Sequence, residues 1–168
     1  MKKIFTLALA LLASVSFAQL SSDSATYVNA IGVQDIGGFP NLTSVSSCAD
    51  TLSVTIPAGN WVYGVDVFYT VETVGGFFGG MSPTDISGYL QYLNTGAKEA
   101  QLSAGTINTN GATEALARFN IPLANGVNPS GQLDFSLHKF DVAFFSTGCD
   151  TADAKIQAGS WKLWCIQI

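Results

Sequence analysis

Basic residues are scarce in this chain. Seven lysines and arginines stand against twelve aspartates and glutamates, only one of the seven is an arginine (Arg118), and there is a single histidine, His138. So little positive charge leaves no surface that could displace counterions from a phosphate backbone, which argues against nucleic acid as a partner. One histidine and three widely spaced cysteines (Cys48, Cys149 and Cys165) are too few for an ordinary zinc cluster. No Gly-x-Ser-x-Gly elbow is present to make His138 the base of a nucleophilic triad. Long apolar runs are missing as well. Ile4 to Leu12 is too short to cross a bilayer, so no membrane span is expected.

What is present begins with a leader. Met1-Lys2-Lys3, the apolar run after it and a small-x-small approach to Ala18 have the form of a secretory signal peptide (residues 1–18), cleaved before Gln19. The expected destination is outside the cytoplasm: periplasm, cell surface or medium. Without Lys2 and Lys3, five basic residues face twelve acidic ones, a formal −7. In an oxidising compartment two of the three cysteines are expected to pair. Should strand 51–57 lie antiparallel beside the last strand, Cys48 would meet Cys165; Cys149 is the alternative partner.

The rest is rich in Gly, Ser, Thr, Val and aromatics and poor in Lys, Glu and Arg, a β-sheet composition. Residues 19–48 read as an irregular leader segment with one strand near Ala25 to Val33. Residues 49–168 read as a single β-domain. Leu52, Val54 and Ile56 alternate with Ser53 and Thr55. In the next strand Trp61, Tyr63, Val65, Val67, Tyr69 and Val71 share one face, with Gly64, Asp66, Phe68, Thr70 and Glu72 on the other, because side chains alternate with period two. Segments 87–94 and 99–104 read as further strands; 113–121 reads as a strand or one short helix, with the context favouring a strand. Leu133, Phe135 and Leu137 alternate with polar residues until the apolar parity flips to Phe140 and Val142, which predicts a β-bulge near His138 and Lys139. A polar loop, 146–159, leads to a closing strand in which Trp161, Leu163 and Cys165 oppose Lys162, Trp164 and Ile166. Seven to nine strands of this kind predict a two-sheet antiparallel β-sandwich of jelly-roll type.

The order Thr51-Leu-Ser-Val-Thr-Ile-Pro, Val65-Asp-Val-Phe-Tyr-Thr-Val and Gly159-Ser-Trp-Lys-Leu-Trp resembles the strand pattern of P-domain-type and galactose-binding-like jelly rolls of bacterial secreted proteins. The resemblance spans residues 51–168. It lacks the Gly-Asp-Leu and Ser-Pro-Ser-Gly segments that P-domains carry. It implies a jelly roll and a non-catalytic module, and no particular site.

Several residues are candidates for chemistry. Phe68 and Trp164 fall on outer strand faces and, were those faces adjacent, would form a platform on which a pyranose ring could stack, with Asp66 as a polar edge; carbohydrate is the ligand this implies. Buried under the leader segment, the same rings would be core. Phe77 and Phe78, between two Gly-Gly pairs, either tuck into the end of the domain or project towards an extracellular protein partner. Asp150 and Asp153 are a candidate calcium loop, the alternative being two solvated acids. Asp66 and Glu72, six residues along one strand at about 3.3 Å each, are too far apart for a glycosidase acid and nucleophile pair. Asp23-Ser24-Ala, Asp50-Thr51-Leu and Asp150-Thr151-Ala are similar to a bacterial O-glycosylation signal, which makes Ser24, Thr51 and Thr151 candidate acceptors; the same tripeptides are common in turns. The expectation is a non-catalytic module that binds carbohydrate or a surface polymer. The alternatives are a structural or adhesion protein and a hydrolase with a carboxylate site.

Overall fold

The computed structural model describes residues 21–75, 80–126, 131–142 and 148–168. The expected signal peptide and Phe77 and Phe78 lie outside the described residues. Among the described residues there are eleven strands: β1 (Ser21–Thr26), β2 (Ile31–Ile36), β3 (Asp50–Ile56), β4 (Val62–Thr73), β5 (Ser87–Tyr92), β6 (Ala97–Lys98), β7 (Ser103–Ala104), β8 (Thr113–Ile121), β9 (Gly131–Val142), β10 (Gly148–Ile156) and β11 (Lys162–Gln167). The chain is all-β, as its composition predicts, and the one helical element described is a single 3₁₀ turn at Pro83–Asp85.

The strands do not form two separate antiparallel sheets. They make one mixed, continuously hydrogen-bonded sheet in the order β1-β11-β4-β10-β2-β9-β5-β6, with β8 on β4, β3 on β9 and β7 on β5. The reason is β2, which pairs antiparallel with β10 and, over Gln34–Ile36, parallel with β9. It joins one half (β1, β11, β4, β8, β10) to the other (β3, β9, β5, β6, β7). The halves fold over a common core: Val65, Val67, Val71 and Leu163 of the first pack in one cluster with Val54, Leu90, Leu133 and Phe135 of the second. Burial of both inner faces drives this closure, as it does between stacked sheets. Residues 21–36, expected as an irregular segment with one strand, supply two, and β2 is central. The break falls at residues 27–30, inside the segment where the single strand was expected.

Two local expectations are corrected. Trp61 and Tyr63 are exposed, and Val62 is buried in their place. Opposite Ile166 and Gln167 the register slips from Gly64 to Val62, and the extra residue, Tyr63, reverses the alternation. At His138–Lys139 there is no bulge: β9 pairs with β5 in unbroken register from Phe135 to Phe140. Alternation continues and carries Lys139 inward, 1 % exposed, while His138 and Phe140 turn to the opposite face and stack around Tyr89. The apolar parity flipped because the chain buries a lysine in the core and builds a second small apolar layer outside it.

The disulfide joins Cys48 to Cys149, with Cα atoms 5.3 Å apart, and not Cys48 to Cys165. Strand β3 lies beside β9 and not beside the closing strand, so the premise of the Cys48–Cys165 pairing fails. Cys165 is a buried free thiol, pushed up to about 12 first by burial and then by the charge of Asp23.

Candidate functional site

Phe68 in β4 and Trp164 in β11 both point away from the core, and their rings lie side by side, with centroids 5.6 Å apart. The pairing register, Lys162 with Phe68 and Trp164 with Asp66, makes them diagonal neighbours on one face. A third ring, Phe119 of β8, meets Phe68 edge-on at 5.5 Å. Both spacings fall in the range of favourable aromatic pairs. Phe68 is half-buried between its neighbours, while Trp164 is 46 % exposed and Phe119 66 %. Beside the rings the small outward side chains Ala115 and Ala117 of β8 leave a shallow depression of about 500 Å³, completed by Thr70, Ser160 and Lys162.

Phe119 was not singled out in the sequence. Its outward position was legible, since Ala115, Ala117 and Phe119 alternate with Leu116 and Arg118. That β8 lies against β4 was not. A bulge also contributes: Val65 pairs with Ile121 and Val67 with Arg118, so β8 holds one extra residue there. Asn120 takes the left-handed conformation (φ 52°), and its N–H donates to Oδ1 of Asp66 at 2.7 Å. Gly64 has no Cβ for a reason, because one placed there would lie 2.3 Å from Oδ1 of Asn120. Asp66, expected as a polar edge to the sugar, has one carboxylate oxygen committed to the bulge that aims Phe119. At the other end of the face Glu72 accepts from Gln157 at 3.0 Å and pairs with Lys155 at 3.1 Å. These contacts, the Gln157 hydrogen bond foremost, hold its carboxyl below the usual range.

The other candidates are placed differently. Residues 148–156, expected within a loop, form β10, whose register against β2 breaks between Asp150 and Lys155. The side chain of Asp150 lies outside the described residues; Asp153 is exposed, and its carbonyl accepts from Val74 N–H at 2.8 Å. Among the described residues no group of three or more His, Cys, Asp or Glu could hold a metal ion. Ser24, Thr51 and Thr151 are all exposed, on three different strands.

His138 is not at the surface. Its ring stacks on Tyr89 with centroids 4.7 Å apart, Nδ1 accepts from Ser46 N–H at 3.2 Å, and Nε2 lies 3.2 Å from Ser136 Oγ. Because a backbone N–H must donate, Nδ1 is unprotonated and the imidazole neutral. Burial foremost, with Lys98 nearby, pushes its pKa down from 6.5 to about 4.

Between the two halves of the sheet lies a polar cluster that the alternation pattern did not show. Lys139 Nζ donates to Tyr69 Oη at 2.5 Å, and Arg118 pairs with Glu99 at 2.6 Å and donates to Ser103 Oγ at 2.5 Å. Burial alone would push the Tyr69 phenol up, but the charges of Lys139 and Arg118 outweigh it and hold the phenol below 10.0. Burial likewise holds Lys139 below 10.5. Both groups release protons in the folded state before they do so in the unfolded chain, so stability should rise with pH towards those ordinary values. One phenol is expected to ionise early in ultraviolet difference spectra, since Tyr27 and Tyr92 are both shifted upward. Lys139→Met should move that early titration upward; an unchanged curve would refute the coupling. With Lys139 1 % exposed, this cluster is a buried structural network and not a site open to a ligand.

No protein-family model matches the chain, and no curated protein matches it in sequence. Among the described residues no helix is long and apolar enough to cross a membrane.

Proposed function

We propose that this is a secreted, non-catalytic β-module that binds carbohydrate on the outer face of β8, β4 and β11. One observation carries the reading: three aromatic side chains from three adjacent strands pack against one another on this face, and two of them, Phe68 and Trp164, line an exposed depression with an alanine floor. Rings held against one another lose little freedom on binding, and they offer a pyranose a broad apolar surface. Thr70, Ser160 and Lys162 supply polar groups at the margin, the mixture a sugar's hydroxyls require. The disulfide, which persists in oxidising compartments, fits a secreted protein. The exposed Ser24, Thr51 and Thr151 would be open to glycosylation in such a protein.

The test is affinity electrophoresis of the oxidised chain from Gln19 to Ile168 through gels containing individual polysaccharides. A retarding polysaccharide should be found, and Trp164→Ala and Phe119→Ala should each weaken retention by about tenfold, the loss of one well-packed stacking contact. Retention unaffected by both variants would remove this face from consideration.

A second reading, a structural or adhesion protein, draws on Trp61 and Tyr63, which the β4 bulge leaves 49 % and 55 % exposed. Exposed apolar groups of this size often mark protein contacts. Concentration-dependent self-association abolished by Trp61→Ser and Tyr63→Ser, with no polysaccharide bound, would favour it.

A further inference from the structure

Four of the five basic residues beyond the leader are engaged in the fold. Lys139 is buried on Tyr69, Arg118 pairs with Glu99, Lys155 pairs with Glu72, and Lys98 donates to the Leu42 carbonyl at 3.0 Å. Among the described residues only Lys162 is a cation left exposed without such a partner, and it stands in the aromatic depression. It lies directly across from Phe68 and two residues along β11 from Trp164. Among the described residues no carboxylate lines the depression. The nearest acids on the same face of β4 are Asp66, held by Asn120, and Glu72, neutralised by Lys155. In a chain of formal charge −5 even with its leader lysines, this is a local inversion of sign beside a stacking platform.

From this juxtaposition we infer that the ligand is an acidic polysaccharide of the uronate type, its pyranose ring stacked on Phe68 and Trp164 and its carboxylate paired with the Lys162 ammonium. The inference rests on the carbohydrate reading above and narrows it. A uronate chain carries one charge per sugar, which a single ammonium can match. A densely sulfated chain would bring several charges against a protein that is otherwise acidic. The same acidity rejects anions that cannot also stack, so the rings give affinity and Lys162 gives selectivity.

The experiment compares the oxidised chain from Gln19 to Ile168 with its Lys162→Met, Lys162→Arg and Trp164→Ala variants. The gels contain polygalacturonate, a neutral β-glucan or dextran sulfate. Polygalacturonate is expected to retard the native chain in preference to the other two, and added salt to weaken the effect. Lys162→Met should lower that affinity about two- to fivefold, the range of one exposed ion pair, while Lys162→Arg largely preserves it. Equal binding of neutral glucan, unaltered by Lys162→Met but lost in Trp164→Ala, would overturn the uronate assignment and leave the carbohydrate reading standing. Retardation by dextran sulfate alone would also overturn it. Retardation by none of the three, nor by any neutral polysaccharide of the wider set, would sink both.

Discussion

Serine at both Cys48 and Cys149 is expected to lower the unfolding free energy by about 4–5 kcal/mol, the chain-entropy value for a closed loop of this size. The bridge spans a sequence separation of 101 residues, so it restrains most of the unfolded chain. Against a total stability of about 5–15 kcal/mol for ordinary domains, that is a large share. For a domain of this length it corresponds to a fall of about 10–20 °C in Tm. The bridge also has a local neighbourhood. Gln34 accepts from Ser47 N–H at 3.0 Å and donates to the Gly148 carbonyl at 2.9 Å, so one β2 side chain ties together the segments on either side of the bond. Denaturant unfolding of the oxidised chain, the reduced chain and the double variant would check this. Coincident midpoints would show that the bridge contributes nothing. Cys165→Ser serves as the comparison, because that thiol is buried and its effect should not depend on reductant.

The second large effect is a loss of stability in mild acid that traces to one side chain. His138 stays neutral in the fold down to about 4, while an unfolded histidine titrates at 6.5. Between these values the unfolded chain takes up a proton that the folded chain refuses, so stability falls as pH drops through the window and levels off below it. At 1.36 kcal/mol per unit the whole window amounts to about 3 kcal/mol. The structural cause is plain: protonation at Nδ1 would set two donors against each other at Ser46 N–H, beneath a loop that also receives the Tyr89 hydroxyl on the Ser44 carbonyl at 2.6 Å. His138→Gln retains an acceptor and cannot titrate. Its stability should be flat from 6.5 to 4 where the native chain declines, apart from the shared loss as carboxylates such as Asp134 are protonated at lower pH. Parallel declines in both proteins would refute the assignment. The two predictions also meet in space, because the segment between Ser44 and Cys48 covers His138 and is anchored by the disulfide. Reduction should therefore let His138 protonate at a higher pH, visible in its ring proton resonances.

Much of the candidate site was legible before any coordinates. Strict alternation in β11 turned Trp164 outward and Trp161 inward, and alternation in β4 turned Phe68 outward, because the pleat is a local property of extended backbone. Where one residue was inserted, as at Tyr63, the same rule ran out of register and Trp61 and Tyr63 were assigned to the wrong face. The parity change at Lys139 was misread in the opposite sense. A buried lysine looks polar to any pattern rule, yet here it is the inward residue of an unbroken strand, held by Tyr69 from the facing half of the sheet.

What the amino-acid order determined by itself was the class of structure and, in strands that hold no extra residue, the side on which the aromatics stand. Both follow from composition and from a repeat of two residues within a single strand. Which strands become neighbours was decided only in the folded chain. That choice brought Phe119 beside Phe68, gave an oxygen of Asp66 to a bulge, paired Cys48 with Cys149, and merged two expected sheets into one through β2. Pairing depends on the burial and register of segments that lie many residues apart. Those are properties of the whole packed chain, and no local pattern contains them.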